Sequence, residues 1–575
     1  MSCKQIFSIF FITCFLAFSF LALFGQISAE EFAVKAPDDY SKKAYYEFIL
    51  GSLASNERKW EEALTHYQNA LKYDPDSPYL GTQIALILIR LGRISDAISV
   101  LEKTVRQNPD YTIALIALGE AYNSQKRVDD AIDIFEKVVK IDTPNKDAQL
   151  FLGTLYLSKG EIPKSLSIFE ALLQKDPENI LALHYIATIN VKLNNYDTAE
   201  QLFKKIIEIN PAFDSAYVNI GVVNENKGNN VAAAAYYRRA LEVNPHNLMA
   251  RERLAVLYIS DREYKMAIEQ FKLIQMMMPE NIDIHRRLGL LYLQEKQYDK
   301  AIYDLRIVTE ARPDDISSRY YLALAFMEVE RYDEAIEQFK KLLANDPKNI
   351  SAFLNLALIY SKQKRFTETA KVYEELLSFE KGKPEIFVYA GNAFIELKNY
   401  NKAEEILLEG LTLFPDDSDL HFQFGIVKDK TGKFSEMEKH MKKAIELNPD
   451  NADALNYLGY TYADKGINLE IALSLIQRAV ELKPGNGYIV DSLGWVYFKL
   501  GRIEEALVVI LRALELTKDD PVIYEHLGDI YKEMGDYKKA VSAWTDSLRF
   551  HEKEEGLKER VEGKIRDLGS RQSDQ

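Results

Sequence analysis

The chain has 575 residues, too many for a single compact core, since single cores stop growing near roughly 250–300 residues. It is 47% hydrophobic and 28% charged, with 26 glycines and 17 prolines, which excludes a disordered or low-complexity tail. The net charge is −15 and residues 1–29 carry only Lys4, so the remainder stands near −16, which works against phosphate neutralisation, hence against nucleic-acid binding. Both cysteines, Cys3 and Cys14, fall in that first stretch, which removes a disulfide framework, Cys-ligated zinc and a thiol nucleophile from everything after it.

Lys4 precedes an uncharged run over residues 6–24 rich in Phe, Ile and Leu, followed by small residues to Ala29 and then Glu30-Glu31. That order predicts a secretory signal over residues 1–29, or an uncleaved anchor just long enough to span a bilayer. Either arrangement places the remainder outside the cytoplasm: exported, periplasmic, or membrane-anchored and facing the periplasm. Phe11-Ile12-Thr13-Cys14 is a poor match to a lipobox. Residues 30–43 form a short lead-in.

From there the sequence is a ruler. Prolines 75, 109, 177, 211, 245, 279, 313, 347, 415 and 449 share one 34-residue phase. A stricter register of small residues runs Gly51, Ala85, Gly119, Gly153, Ala187, Gly221, Ala255, Gly289, Ala323, Ala357, Gly391, Gly425 and Gly459, and resumes at Gly494 and Gly528 after one extra residue in the turn from Gly466 to Glu470. Twelve residues beyond the small residue stands an alanine, from Ala63 to Ala540, with Ser165, Thr369 and Met437 as exceptions and Ala472 thirteen beyond Gly459, across the extra residue. Two antiparallel helices approach to roughly 8–10 Å only where their facing side chains are small. The pattern therefore predicts a helix pair per period, small residue facing alanine. Leu118, Leu152, Leu254, Leu288 and Leu322 precede the small residue, and Tyr122, Tyr156, Tyr258, Tyr292 and Tyr360 follow it by three. Phe135, Phe169, Phe203, Phe271 and Phe339 fill the second helix, which proline ends. One pair cannot bury its own apolar face, so stacking on neighbours supplies stability. A coiled coil is excluded, because heptads do not place Gly and Pro every 34 residues.

This spacing resembles the tetratricopeptide repeat family. The resemblance implies an all-α, right-handed superhelical solenoid of about fifteen antiparallel helix pairs over residues 44–554. Residues 555–575 then supply a capping helix, with Leu557, Val561, Ile565 and Leu568 as its apolar stripe, and a polar tail.

Chemistry is sparse by comparison. The eight histidines are scattered, no phosphate-binding glycine loop or nucleophile elbow occurs, and no span outside the repeats can hold a catalytic domain. The reading is a non-enzyme without metal or cofactor. Asp416-Asp417 and Asp519-Asp520 read as solvated loop residues or helix N-terminal charges, and Met276-Met277-Met278 as packing filler. In a solenoid of helix pairs the first helices line the inside, so residues three before, one after and four after the small residue should face a groove. These are Arg286, Leu290 and Leu293; Tyr320, Leu324 and Met327; Val388, Asn392 and Ile395; Phe422, Ile426 and Asp429; Asn456, Tyr460 and Ala463; and Asp491, Trp495 and Phe498. Large apolar side chains held toward solvent mark partner sites unless neighbouring repeats or a second copy cover them. Family repeats that clamp peptide carboxyl termini use Lys and Asn in adjacent repeats; here Asn392 and Asn456 are separated and lack the lysines.

The run from Asp491 to Tyr497, followed by Leu500-Gly501, is similar to the carboxy-terminal repeats of bacterial envelope proteins of this family. One such group comprises outer-membrane lipoproteins that serve as adaptors of carboxyl-terminal-processing proteases, although the lipobox cysteine is missing here. The expected function is a non-catalytic scaffold of the bacterial envelope whose partners are proteins and not nucleic acid. Membrane contact is expected only through an uncleaved amino terminus. An accessory subunit of polysaccharide export and a self-associating architectural protein are the rivals, and the oligomeric state stays open.

Overall fold

The computed structural model describes residues 39–573, with side chains from residue 42 to 569. The signal or anchor, most of the lead-in and the extreme tail lie outside the described residues. Within them every regular element is a helix, and contacts gather into two compact units that divide between Arg262 and Glu263.

The first unit contains α1 (Asp39–Asn56) and α2 (Trp60–Tyr73), α3 (Pro78–Arg90) and α4 (Ile94–Gln107), α5 (Thr112–Ser124) and α6 (Val128–Ile141), α7 (Lys146–Lys159) and α8 (Ile162–Lys175), α9 (Ile180–Lys192) and α10 (Tyr196–Ile209), α11 (Asp214–Asn226) and α12 (Asn230–Val243), and α13 (Leu248–Ser260). The second begins with α14 (Tyr264–Met277). It continues through the pairs α15 (Ile282–Gln294) and α16 (Tyr298–Ala311), α17 (Ile316–Glu328) and α18 (Tyr332–Asn345), α19 (Ile350–Lys362) and α20 (Phe366–Leu377), and α21 (Pro384–Glu396) and α22 (Tyr400–Leu413). The remaining pairs are α23 (Ser418–Lys430) and α24 (Phe434–Leu447), α25 (Ala452–Lys465) and α26 (Leu469–Leu482), α27 (Gly487–Lys499) and α28 (Ile503–Leu516), and α29 (Pro521–Glu533) and α30 (Tyr537–Leu548). A 3-10 turn at His551–Lys553 leads into α31 (Leu557–Ser573). No described helix is long and apolar enough to cross a membrane.

Each boundary has a local cause. A side chain eight before the small residue starts most first helices: Asn179, Asn349 and Asn451 accept from the N–H three residues on, each at 3.0 Å. Asp417 and Asp520 do the same, so both acid pairs supply helix N-terminal charge. The residue before proline leaves the helix for extended backbone, as Met278 does at φ −137°. The exposed proline carbonyl then receives a side chain six residues on: His285 Nε2 donates to Pro279 at 3.0 Å and Arg319 Nη2 to Pro313 at 2.9 Å.

Seven residues after the small residue, each pair turns through a left-handed backbone position. Glycine fills it at 92, 160, 228, 432, 466, 501 and 535, but Arg58, Lys126, Asn194, Arg262, Lys296, Glu330, Lys364 and Lys398 hold the same positive φ. The inserted residue is absorbed where the spacing placed it, at Ile467 and Asn468, the latter at φ 49°.

The packing partner of the small residue differs from the one expected. A Cβ on Gly119 would stand 2.5 Å from Phe135, on Gly221 2.3 Å from Tyr237, and on Gly528 2.3 Å from Trp544, each sixteen residues on. The glycine thus makes room for the large residue four beyond the alanine. The alanine position lies against the backbone, as Ser165 shows by donating to the Gly153 carbonyl at 2.8 Å. The leucines, phenylalanines and most of the tyrosines named above are buried, Phe169, Phe203, Phe271 and Phe339 completely. Met276 and Met278 correct the filler reading: they are 77% and 40% exposed, Met276 on the solvent side of the last turn of α14 and Met278 just past its end.

A candidate partner-binding face on the first helices

First helices pack on the next first helix at α3/α5 and α7/α9 in the first unit, and at α15/α17, α21/α23, α25/α27 and α27/α29 in the second. Second helices make no comparable contact with one another among the described residues, so the row of first helices is the shorter, inner side of each curve. Every groove candidate from the sequence lies on that row in the second unit.

The structure sorts them into a half-covered row and a closed cluster. Leu290, Leu324, Met327, Phe422, Ile426, Tyr460 and Phe498 are half-buried, and Asn392 is exposed. Arg286 lies 3.7 Å from Asp315 of the next repeat and keeps 42% of its side chain exposed. Tyr320 is half-buried, and its hydroxyl accepts from Asn355 Nδ2 at 3.2 Å. Asp491 and Trp495 correct the expectation of solvent-facing anchors, being only 6% and 8% exposed.

The cause of that burial is a seam. Residues three before the small residue meet the next repeat about 35 residues on: Phe422 packs edge-on against Tyr457, Asp491 accepts from His526, and Glu525 accepts from Arg560 of α31. Trp495 stacks on His526 at 4.0 Å and on Phe498 at 5.0 Å, and Lys499 sits 5.0 Å from its ring. His526 Nδ1 lies 2.9 and 3.1 Å from the two Asp491 oxygens. Burial alone would lower its pKa, but the charge and hydrogen bond of Asp491, with Asp529 and Glu525 beyond, outweigh burial and hold it above the ordinary histidine range. Tyr457 Oη donates to Asp429 Oδ2 at 2.8 Å. Burial, reinforced by Asp491, Asp464 and Glu525, keeps the Tyr460 hydroxyl protonated well above its usual range. Gln423 Oε1, Asn456 Oδ1 and Trp495 Nε1 are buried without a hydrogen-bond partner.

Sequence reading missed Tyr457, His526 and Gln423, which stand two residues before the small residue rather than three. Pairing each inner residue with its counterpart 35 residues on would have found the first two. His421 and His440, nineteen apart in sequence, also meet at 2.8 Å between Nδ1 atoms. Among the described residues no three His, Cys, Asp or Glu converge as a metal site.

Family profiles described as Tetratricopeptide repeat match residues 48–79, 82–146, 150–215, 184–247, 219–281, 320–385, 385–417, 418–451 and 440–473, and one described as TPR repeat matches 494–543. Over 85 residues the chain is 33% identical to Protein O-mannosyl-transferase Tmtc3 of Drosophila melanogaster, a stretch spanning 15% of this chain and 9% of that protein. Among solved structures it is similar to the APC/C hetero-tetramer Cut9-Hcn1, with 13% identity, TM-score 0.34, and coverage of 85% of this chain and 96% of that one. It is also similar to YrrB, described as a TPR protein with an unusual peptide-binding site, with 22% identity, TM-score 0.27, and coverage of 32% and 95%.

Proposed function

Because the chain belongs to the tetratricopeptide repeat family, a scaffold for protein–protein interaction, we propose that it is a non-catalytic adaptor of the bacterial cell envelope that holds partner segments along its first helices. The observation that carries this reading is the half-covered row from Leu290 to Phe498, where apolar side chains keep part of their surface accessible beside exposed Asn392. Such a row favours an extended protein segment that removes the remaining apolar surface from water and meets polar groups on the way. The exported or membrane-anchored location follows from the amino-terminal run and belongs to the same proposal, as does an envelope protease or assembly machine as the client.

A photo-crosslinking residue placed at Asn392 in growing cells should capture a protein partner, whereas one at Val508, 69% exposed on second helix α28, should not. Equal capture at both positions, or none at Asn392, would overturn the assignment of this face. The short likeness to a mannosyl-transferase supports a second reading, an accessory to glycan chemistry. Loss of surface polymer in a deletion strain with unchanged envelope proteolysis would favour it.

A further inference from the structure

Glu120 stands one residue after Gly119 on α5, on the inner side of the first unit. It is half-buried, and its carboxyl oxygens are not sealed from solvent. Among the described residues no hydrogen bond or ion pair reaches it, and burial is the only influence on its ionisation. The charges on the helices around it are engaged elsewhere. On α3, Arg90 lies over the Trp60 ring at 5.1 Å; on α4, Glu102 accepts from Tyr122 at 2.9 Å. On α6, Asp130 pairs with Arg127, and on α7, Lys146 and Lys159 pair with Asp176 and Asp129. Other inner acids show what such a place receives. Asp529 holds the same position after Gly528, and Lys564 of α31 brings its ammonium to 2.6 Å. Glu225 on α11 receives Arg253 of α13 at 2.6 Å, and Glu525 on α29 receives Lys564 at 2.7 Å. In each case a basic side chain of the next first helix meets the acid. At Glu120 the next first helix has Phe151 where α13 has Arg253, and that ring stacks on Phe135 at 4.6 Å.

We propose that the inner side of the first unit binds a protein segment through a lysine or arginine that pairs with Glu120, the missing counterpart being supplied by the partner. The chemistry of the wall selects this occupant. A carboxylate among apolar side chains pays a desolvation cost that nothing in the chain offsets, and an incoming cation meets it in the same low-dielectric surroundings. The neighbouring inner positions hold Leu86, Ile116 and Leu157, all half-buried and uncharged. The methylene stem of a lysine or arginine, with apolar residues on either side of it, covers that surface, which a free amine cannot do. The charge of the whole chain, −15, favours approach of a basic segment over an acidic one. The site lies wholly within the first unit and stands whether or not the row from Leu290 to Phe498 holds a partner.

The test selects binders from short randomised peptides, capped at both ends, on the full chain and on its Glu120→Gln variant. Wild type should enrich peptides with a lysine or arginine between apolar residues. Glu120→Gln keeps the shape, loses the charge and should not enrich them. A selected peptide titrated into wild type should bind about tenfold tighter at pH 8 than at pH 6, because the pairing carboxylate grows from about a tenth to about nine-tenths of the population as pH passes about 7. The variant should bind it more weakly at pH 8, with no such slope. No enrichment on wild type, equal enrichment on both proteins, or a pH slope shared by both would overturn the proposal. Spermidine binding as tightly as the selected peptide would overturn it too, by making the ligand a free amine.

Discussion

The inner sides of the two units solve one burial problem with different chemistry. In the first unit the inner positions carry Thr82, Leu150, Val218 and similar residues, and two of its inner titratable groups, Glu120 and His184, are governed by burial alone. Burial pushes Glu120 up to about 7 and His184 down to about 4, so both are driven toward their neutral forms. In the second unit the same positions carry Tyr320, Phe422, Tyr460 and Trp495, and the buried charges are paired, Asp491 with His526 and Glu525 with Arg560 and Lys564. The contrast teaches that one repeat geometry can hold ionisable groups in two ways. Burial without an ionic partner drives them toward their neutral forms, as at Glu120 and His184, and a counter-ion from the next first helix keeps them charged, as between Asp491 and His526.

The largest expected effect probes the paired side. His526→Leu strands Asp491, 6% exposed, and should cost about 3–5 kcal/mol near pH 6, read by urea unfolding. The raised His526 pKa means that its contribution is complete below the unfolded value and is lost as pH rises through the folded one. The gap between variant and wild type should therefore narrow above neutral pH, and a pH-independent gap would mean that the pair is not ionic. Next, Gly221→Leu in the first unit and Gly528→Leu in the second should each cost about 1–3 kcal/mol or more, by driving Tyr237 or Trp544 off its rotamer. Matched losses would place both units on one packing rule, and an unmoved midpoint in either would refute the register there.

A smaller effect tests the uncompensated side. The Glu120 pKa is raised on folding, so the folded state binds the extra proton and stability falls as pH climbs from about 4.5 to 7. Glu120→Gln removes that penalty and should gain on the order of 1–2 kcal/mol at pH 8 and almost nothing at pH 4.5, followed by thermal melts at both. The smallest change is Lys296→Gly, at a left-handed turn where its side chain is strained; it should gain about 0.5–1 kcal/mol, and a loss would show that the lysine side chain repays its strain.

The sequence made the helix pairs legible because the close approach admits only a small residue: a Cβ on Gly119 or Gly528 would stand within 2.5 Å of Phe135 or Trp544, and alanine holds the same place at 187, 255 and 323. The terminal cap was equally readable, since Leu557, Val561 and Leu568 repeat on one helical face and all are buried. The candidate face was legible only as a set of positions. Whether a given side chain stays open depends on what the next repeat supplies, and Trp495 closes because His526 lies 31 residues on, in another helix. Left-handed turns were hidden for a related reason: Lys296 or Glu330 tolerates a backbone that glycine would prefer, so composition does not announce it. The division at Arg262 leaves no mark in a register that runs straight through it.

The extra residue at Ile467 has a practical meaning. Repeats fourteen and fifteen keep their small residues, alanines and inner faces in phase after it, so that bend uncouples chain length from stacking. An affinity tag or a small guest domain spliced between Gly466 and Leu469 should ride outside the array, which makes this hairpin the natural handle for labelling the protein without disturbing what it grips.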